Sequence, residues 1–197
     1  MDLHGVTRLR RMVCDAYSAA AEAPLEQHAF PVGREFAASL GYPRELLAGL
    51  PSKSAEAFSG VSNVSVFAGI HEGATVLDLG CGAGLDSLIA ARRAGPRGKV
   101  LGSDFSEAMT ARARAAAIDA GSDNVVFCRA DAERLPLPDA SIDIALANGI
   151  FNLNPERAAI FRELARVLRA GGAVYAAELV LACPLPPEKQ TADDWFA

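Results

Sequence analysis

The feature that most constrains this chain is one continuous run, Thr75-Val-Leu-Asp-Leu-Gly-Cys-Gly-Ala-Gly84. The first half of the run is apolar and β-branched enough to predict a buried strand. Gly80, Gly82 and Gly84 then lead into Leu85-Asp-Ser-Leu-Ile-Ala-Ala-Arg-Arg93, whose apolar spacing predicts a helix. A strand, a glycine turn and a helix N-terminus together let a polar ligand approach bare backbone N–H groups.

The spacing of the glycines restricts which class of ligand this turn could bind. A dinucleotide-binding turn has its third glycine one position later, where this chain has Leu85. The pattern therefore argues against a nicotinamide dehydrogenase and favours a nucleoside ligand without a pyrophosphate. A tight turn without any function is the alternative that the motif alone leaves open.

Composition places the chain among globular α/β proteins, since 51% of its 197 residues are hydrophobic and 22% are charged. With a net charge of −5 and no basic run, nucleic acid is not an expected partner. Cys14, Cys81, Cys128 and Cys183 form no metal-like or disulfide pattern, which indicates a reducing, cytoplasmic compartment and no metal. No stretch approaches the roughly 18 apolar residues of a membrane span.

The N-terminal part, residues 1–72, predicts a helical cover instead of a domain because it has few apolar residues. We expect one helix from Thr7 to about Glu22 and short helical pieces at about 34–40 and 43–48. The serine- and glycine-rich segment 52–63 predicts a loop that lies on the substrate side.

From residue 73 to 183, strands and helices alternate, which predicts a doubly wound, Rossmann-like parallel sheet. We predict five strands in the order 3-2-1-4-5. The predicted strands are 75–79, 99–103, 124–129, 142–147 and 173 to about 181. The predicted helices are 85–94, one capped by Ser106 that ends at Gly121, and one that opens at Asn154 and Pro155 and ends before Gly171.

The carboxyl ends of these strands carry polar residues, and ligands bind at that edge of an open parallel sheet. Asp78 lies on the first strand. Asp104 follows the second strand, near the spacing of roughly 20 residues at which a carboxylate meets ribose hydroxyls. A plain turn residue is the alternative for Asp104.

The third and fourth strands deliver further candidates. An acid in Ala130-Asp-Ala-Glu133 could accept from an exocyclic amine while a backbone N–H donates to a ring nitrogen, which selects adenine; solvated loop charges are the alternative. Asn148 can donate and accept, so it could orient a substrate group, although an Asn-Gly pair is also a common turn.

Together these motifs resemble the class I S-adenosylmethionine-dependent methyltransferases. The first motif is followed by the ribose acid, the adenine loop and two later signatures, Leu135-Pro-Leu-Pro-Asp-Ala-Ser-Ile-Asp143 and Arg166-Val-Leu-Arg-Ala-Gly-Gly172. The resemblance implies S-adenosylmethionine as the cofactor. The expected cofactor-binding residues are Asp78, Gly80, Cys81, Gly82, Gly84, Asp104, Phe105, Asp131, Ala132, Glu133, Asn148 and Tyr17.

The function that this resemblance implies is methyl transfer to a small-molecule acceptor. The sulfonium is already activated, so the protein mainly has to align the acceptor and exclude water. Asn148 and Asn63 are the expected acceptor-facing residues. The alternatives are arsenite methylation and a protein that binds the cofactor or its product without catalysis.

A closer resemblance, from about residue 41 onward, is to the arsenite methyltransferase family. It rests on Gly41-Tyr-Pro43, Leu50-Pro51, Ser59-Gly-Val-Ser-Asn63, Ala147-Asn148 and Asn152-Leu-Asn-Pro155. The thiolates that this family would place near Val61 and at Gly149 are missing, and arsenic(III) is a soft centre that needs thiolates. We therefore expect an organic acceptor.

The C-terminal segment, residues 184–197, contains three prolines that disfavour a strand. Methyltransferases of this class usually add two strands after the fifth, so the resemblance implies that strands six and seven are absent and that the chain is truncated. An uncovered fifth strand would invite a homodimer through the sheet edge.

Overall fold

The structure is a computed structural model that describes residues 3–182, so Cys183 and the segment 184–197 lie outside the described range. The strands are β1 (Thr75–Leu79), β2 (Lys99–Asp104), β3 (Val125–Arg129), β4 (Ile142–Asn148) and β5 (Leu168–Ala177). The helices are α1 (Leu3–Glu22), α2 (Arg34–Ser39), α3 (Arg44–Ala48), α4 (Ser52–Ala55), α5 (Val64–Phe67), α6 (Leu85–Ala94), α7 (Glu107–Ala120) and α8 (Arg157–Val167).

The five strands form one parallel sheet in the order β3-β2-β1-β4-β5, which confirms the predicted topology. Strand β1 lies at its centre and is buried on both faces. Val76 packs with α6 and α7, whereas Leu77 and Leu79 pack with α8 on the opposite face. Helices thus cover both faces of the sheet, and its carboxyl edge stays open for a ligand.

The N-terminal helices form a cover over α6, α7 and that edge, and Tyr42 and Leu47 are almost fully buried. The prediction of a loop over 52–63 is wrong in part because α4 forms there. Ser54 and Ala55 of α4 are buried, and α4 packs on α7. The division into a cover (1–72) and a methyltransferase domain (73–183) stays a prediction.

Strand β5 begins earlier than expected. The predicted range, 173 to about 181, is corrected to Leu168–Ala177. Leu168 already pairs with Ile142, and a register shift before Ile144 lets the glycine-rich segment after α8 remain in the strand. Within the described residues β5 is an edge strand, and the homodimer stays a prediction.

No helix in the described range is both long and apolar enough to cross a membrane.

Helix α8 begins at Arg157, after the predicted opening at Asn154 and Pro155. The Asn154 side chain accepts a hydrogen bond from the backbone N–H of Glu156 at 2.7 Å, so it forms a turn ahead of the helix.

A first prediction concerns the start of α7. The Ser106 hydroxyl accepts from the backbone N–H of Met109 at 3.2 Å and shares a 2.8 Å hydrogen bond with the Ser18 hydroxyl of α1. Ser106→Ala should lower the free energy of unfolding by about 1–2 kcal/mol because the cap is lost. Urea denaturation measures this.

The control is Ser39→Ala, which removes an exposed hydroxyl that donates to the carbonyl of Phe36. This variant should lower the free energy of unfolding by less than about 0.5 kcal/mol. Equal losses in the two variants would contradict the capping role.

Candidate functional site

A cleft opens at the carboxyl edge of the sheet, between the strand ends and the N-terminal cover. It encloses about 1010 Å³, part of it open to solvent. Two of the predicted site residues, Gly84 and Asn63, are not among those that line it. The predicted residues that do line it are Tyr17, Asp78, Gly80, Cys81, Gly82, Asp104, Phe105, Asp131, Ala132, Glu133 and Asn148.

The turn after β1 presents backbone to this cleft. Gly80 and Cys81 donate their N–H groups to the carbonyl of Ser103, at 2.8 and 3.0 Å, which fixes the turn to β2. Gly82 has a φ of +50°, and the nearest atom to a Cβ built there is the Met109 sulfur at 3.9 Å. The open side of Gly82 is therefore where a ligand can approach the chain closely.

Gly84 has a different role. Its φ is +81°, and a Cβ added there would lie 2.9 Å from Phe127 Cζ and 3.1 Å from Ala113 Cβ. The residue is the N-cap of α6. It therefore allows α6 to approach β3 and α7 closely, and it is not among the residues that line the cleft.

Asp104 ties the end of β2 to the glycine turn. It is 8% exposed, and its carboxylate accepts from the backbone N–H groups of Gly82 and Ser106, both at 2.9 Å. Burial raises the pKa of Asp104, and these backbone hydrogen bonds partly oppose the shift. The carboxylate is thus fixed in the cleft wall where the sequence predicted a ribose acid.

The loop after β3 is bound by a residue that the sequence analysis missed. Arg10 of α1 pairs with Asp131 at 2.5 Å and with Glu133 at 3.0 Å. Asn154 also donates to Glu133 at 2.9 Å, through the same oxygen, Oε1. The other oxygen, Glu133 Oε2, is buried and has no hydrogen-bond partner in the described part of the chain. A buried acceptor without a partner inside a cleft fits a ligand that supplies a donor.

Asn148 lines the cleft, but both ends of its amide are engaged by the protein itself. Its Oδ1 accepts from the backbone N–H groups of Val61 and Ser62, at 2.8 and 3.1 Å. Its Nδ2 donates to the Ser62 carbonyl at 2.7 Å and to Asp86 at 2.8 Å. These hydrogen bonds attach the cover to the end of β4, and the predicted contact of Asn148 with an acceptor stays a prediction.

Asn63 and Tyr17 differ in whether they line the cleft. Asn63 donates to the carbonyl of Gly41 at 2.9 Å and lies away from the cleft, so the structure does not bring it to an acceptor. Tyr17 does reach the cleft, with its ring stacked on Phe30 at a centroid distance of 4.5 Å. Burial first, and then the Asp104 charge, raises the pKa of the Tyr17 hydroxyl.

Asp86, in the first turn of α6, is a further residue that the sequence analysis missed. It is 6% exposed and accepts hydrogen bonds from the Tyr42 hydroxyl at 2.6 Å and from the Ser65 hydroxyl. Its position directly after the glycine turn is the feature of the sequence that could have indicated a role in the site, but its hydrogen-bond partners are distant in sequence. Burial raises the pKa values of Asp86 and of its neighbour Asp78.

The cleft wall therefore holds three buried carboxylates, those of Asp78, Asp86 and Asp104. Within residues 3–182, no arginine, lysine or histidine makes a hydrogen bond or ion pair with them. Uncompensated buried negative charge is costly in free energy. The wall is therefore complementary to a ligand that carries positive charge.

The fold and the cleft define the class of protein. A doubly wound sheet with a glycine turn after β1 and an acid at the end of β2 is the arrangement of the class I S-adenosylmethionine-dependent methyltransferases. Residues 70–196 match the model of a family described as a methyltransferase domain, and the chain belongs to that family.

Two related sequences and one solved structure are similar to this chain. An arsenite methyltransferase of Halobacterium salinarum is 36% identical over 155 residues, which are 79% of this chain and 39% of that protein. UbiE of Hahella chejuensis, a ubiquinone/menaquinone biosynthesis C-methyltransferase, is 39% identical over 112 residues, 56% of this chain and 45% of that one. The chain thus spans less than half the length of these two relatives.

The third similar protein is a solved structure. CrArsM, an arsenic(III) S-adenosylmethionine methyltransferase from Chlamydomonas reinhardtii, is 32% identical with a TM-score of 0.61. The match covers 81% of this chain and 53% of that one. The likeness therefore extends beyond the sheet into the N-terminal cover.

S-adenosylmethionine, the cofactor of this class, fits the residues present. Its positive charge suits a wall that contains Asp78 and Asp104 without a compensating cation. Its adenine amine is a donor of the kind that Glu133 Oε2 lacks. Gly80 and Gly82 would hold it through their backbone, with Asp104 at its ribose.

A second prediction tests the packing role of Gly84, which differs from the role of Gly82 as the open side of the turn. Gly84→Ala should lower the free energy of unfolding by about 2–5 kcal/mol, because a strained φ and overpacking against Phe127 add together. Gly121 is the control, since its φ is +60° and a Cβ there would meet nothing within 4 Å. Gly121→Ala should lower the free energy of unfolding by about 1–2 kcal/mol, because only the backbone conformation is strained there. Similar losses in chemical denaturation would contradict the packing role of Gly84.

Proposed function

We propose that this protein transfers the methyl group of S-adenosylmethionine to a small organic acceptor. The observation that carries the proposal is the cleft at the carboxyl edge of the sheet. There the glycine turn, Asp104 and an unpaired Glu133 oxygen lie beside a wall of buried negative charge. Membership of the methyltransferase domain family supports the same reaction.

Each part of the chain then has a physical task in the reaction. The cofactor supplies a methyl group that its sulfonium has already activated, so no residue needs to activate it. The turn at Gly80 and Gly82 and the fixed carboxylate of Asp104 orient the cofactor. Helix α1, through Arg10 and Tyr17, covers the cleft and excludes water.

The remaining cleft surface supports a carbon-rich acceptor. Side chains from α1, from the segment before α5 and from the loop after β4 line it on the cover side. These are the apolar groups of Val13, Phe58, Ile150 and Leu153. Apolar surface with few polar groups is typical of sites for small organic molecules.

The two positions at which the arsenite methyltransferase resemblance expects thiolates also support an organic acceptor. They are neighbours in space, because a Cβ built on Gly149 would lie 3.1 Å from Val61 Cγ1. Gly149 lines the cleft. A pair of thiolates here would therefore form one site, but this chain fills it with an isopropyl group and a bare backbone.

The cysteines that the structure describes do not replace those thiolates. Cys81 lines the cleft, but burial raises the pKa of its thiol well above the usual value, which disfavours the thiolate that arsenic needs. Cys14 and Cys128 are half-buried and are not among the cleft residues.

Arsenite methylation is the second candidate function. It is favoured by the Halobacterium and Chlamydomonas relatives, whose names state that activity. The missing thiolates at Val61 and Gly149 count against it. The third possibility, binding without catalysis, would appear as affinity for the cofactor without turnover on any acceptor.

A third prediction tests the cofactor site by calorimetry. S-adenosylmethionine should bind, and NAD should not. Asp104→Ala should weaken cofactor binding by about 1.5–3 kcal/mol, the range for a lost hydrogen bond to a charged group.

The matched control is Asp143→Ala. Asp143 also accepts from a backbone N–H, that of Thr75 at 2.8 Å, but it lies at the opposite end of the sheet and pairs with Arg169. This variant should lose stability and keep cofactor affinity. Unchanged affinity in Asp104→Ala would remove Asp104 from the ribose site.

A fourth prediction tests the acceptor. Incubation with arsenite, excess thiol and S-adenosylmethionine should give no methylated arsenic by mass spectrometry, while the Chlamydomonas enzyme serves as the positive control. A panel of phenols, hydroquinones and amines should include one compound that gains a methyl group. Arsenic turnover that disappears in Cys14→Ser or Cys183→Ser would show that the inference from missing thiolates is wrong.

A further inference from the structure

We propose that Asp86 is a positioning residue that keeps Asp78 in its neutral, protonated form in the free protein, and that binding of the positively charged cofactor releases this proton to solvent. The proposal rests on the proposed function, because it assigns S-adenosylmethionine to the cleft. It adds a linkage between cofactor affinity and pH that involves these two carboxyl groups.

The hydrogen bonds around Asp86 fix it as the ionised member of the pair. The backbone N–H of Ser65, at 3.3 Å from Oδ1, can only donate. The Asn148 amide must also point its NH₂ at Asp86, because its carbonyl oxygen already accepts from two backbone N–H groups. The Tyr42 hydroxyl keeps its proton, since burial and the Asp86 charge raise its pKa. Its oxygen lies 2.6 Å from Asp86 Oδ1 and 3.0 Å from the Ser62 carbonyl oxygen, and the charged acceptor at the shorter distance makes the stronger hydrogen bond.

Asp86 therefore meets donors at both of its oxygens and has no need of a proton. The donors come from three separate segments of the chain: the turn before α3, α5, and the end of β4. Because charge-assisted hydrogen bonds of this kind stabilise a carboxylate, protonating Asp86 would weaken the contacts with the donors at both of its oxygens.

Asp78 is placed differently. It is 2% exposed, and its side-chain partner in the described part of the chain is the Ser87 hydroxyl, at 2.5 Å from Oδ2. A hydroxyl can accept as well as donate, so this contact also suits a protonated Asp78. The backbone N–H of Ser87 favours the ionised form. Burial and the Asp86 charge oppose it, and they raise the pKa of Asp78.

The titratable groups that face Asp78 are acidic on every side. Asp86 comes from α6, Asp104 from β2, the Tyr42 hydroxyl from the cover and the Cys81 thiol from the turn. Strand β4 contributes the neutral Asn148. Two carboxylates in one buried site cannot both ionise without a nearby cation, so the pair shares one proton in the free protein.

Cofactor binding changes this balance. The bound molecule carries a sulfonium and an ammonium against one carboxylate, and Asp78 lies in the cleft wall directly before the glycine turn. A nearby positive charge lowers the pKa of a carboxyl group. The O–H bond of Asp78 then breaks, its electron pair stays on the carboxylate, and the proton passes to the buffer.

The experiment is titration calorimetry of the full chain with S-adenosylmethionine in buffers of different ionisation enthalpy. The dependence of the observed heat on the buffer gives the number of protons exchanged. We expect the release of about one proton at pH 6.5. Affinity should rise with pH, by up to about tenfold per pH unit, until Asp78 is ionised in the free protein. S-adenosylhomocysteine, which lacks the sulfonium charge, should release fewer protons.

Two variants assign the proton. Asp86→Asn removes the charge that holds the proton on Asp78, so the pH dependence of affinity should move to lower pH. Asp78→Asn should weaken cofactor binding, because the carboxylate that would meet the positive charge is lost, and the binding that remains should release no proton. The control is Asp119→Asn, at an exposed acid that pairs with Lys53, and it should behave as the unmodified protein does.

The outcomes separate this inference from the proposed function. Cofactor binding without buffer dependence would overturn the proton linkage and leave the proposed function in place. Proton release that persists in Asp78→Asn would assign the proton to another group and overturn the role given to Asp86. No binding at all by the unmodified protein would overturn the proposed function together with the inference.

Discussion

The hydrogen bond between Asp86 and Asn148 is the contact on which the assembly of the cleft depends. It joins the first turn of α6 to the end of β4, and both residues line the cleft. Asn148 then binds the chain at Val61 and Ser62, and Asp86 binds Ser65. The cover is therefore attached to the sheet through buried and partly buried polar groups that satisfy one another. Loss of either side chain would leave buried donors or charge without a partner.

The same arrangement explains why the cleft wall has an excess of negative charge. A carboxylate at Asp86 fixes the cover, one at Asp104 fixes the glycine turn, and Asp78 lies between them. Arg10 is the cationic residue of the cleft wall, and it pairs with the loop after β3. Structural demands thus concentrate negative charge in the wall, and a cationic ligand would relieve it. The groups that position the chain are therefore the same groups that, in the proposed function, favour a positively charged cofactor.

The sheet could be predicted from the sequence because its signals are local. Alternating strands and helices, the run ending at Gly84, and Asp104 after β2 are each contained within a short stretch, and topology rules then order the strands. The polar contacts of the cover could not be predicted this way. Tyr42 and Asp86 are 44 positions apart, and Asn148 lies 62 positions from Asp86. Nothing in the residues themselves distinguishes an asparagine that meets a ligand from one that binds its own chain, so the contacts of Asn148 with Val61 and Asp86 could not be predicted. Arg10 was missed for the same reason.

The contact between Val61 and Gly149 extends this argument to specificity. Asn148 accepts from the backbone N–H of Val61, so it fixes the place of residue 61 against residue 149 whatever side chains these two positions carry. A scaffold of this kind can change its acceptor by changing two side chains while its cofactor cleft stays intact, because fold and cofactor depend on other groups. With thiols at both positions the pair would hold a soft metalloid, whereas valine and glycine leave an apolar surface beside the same cofactor. The departure that the resemblance to the arsenite methyltransferases implies would therefore lie in the side chains at these two positions, on a backbone that the contact between Asn148 and Val61 holds in place.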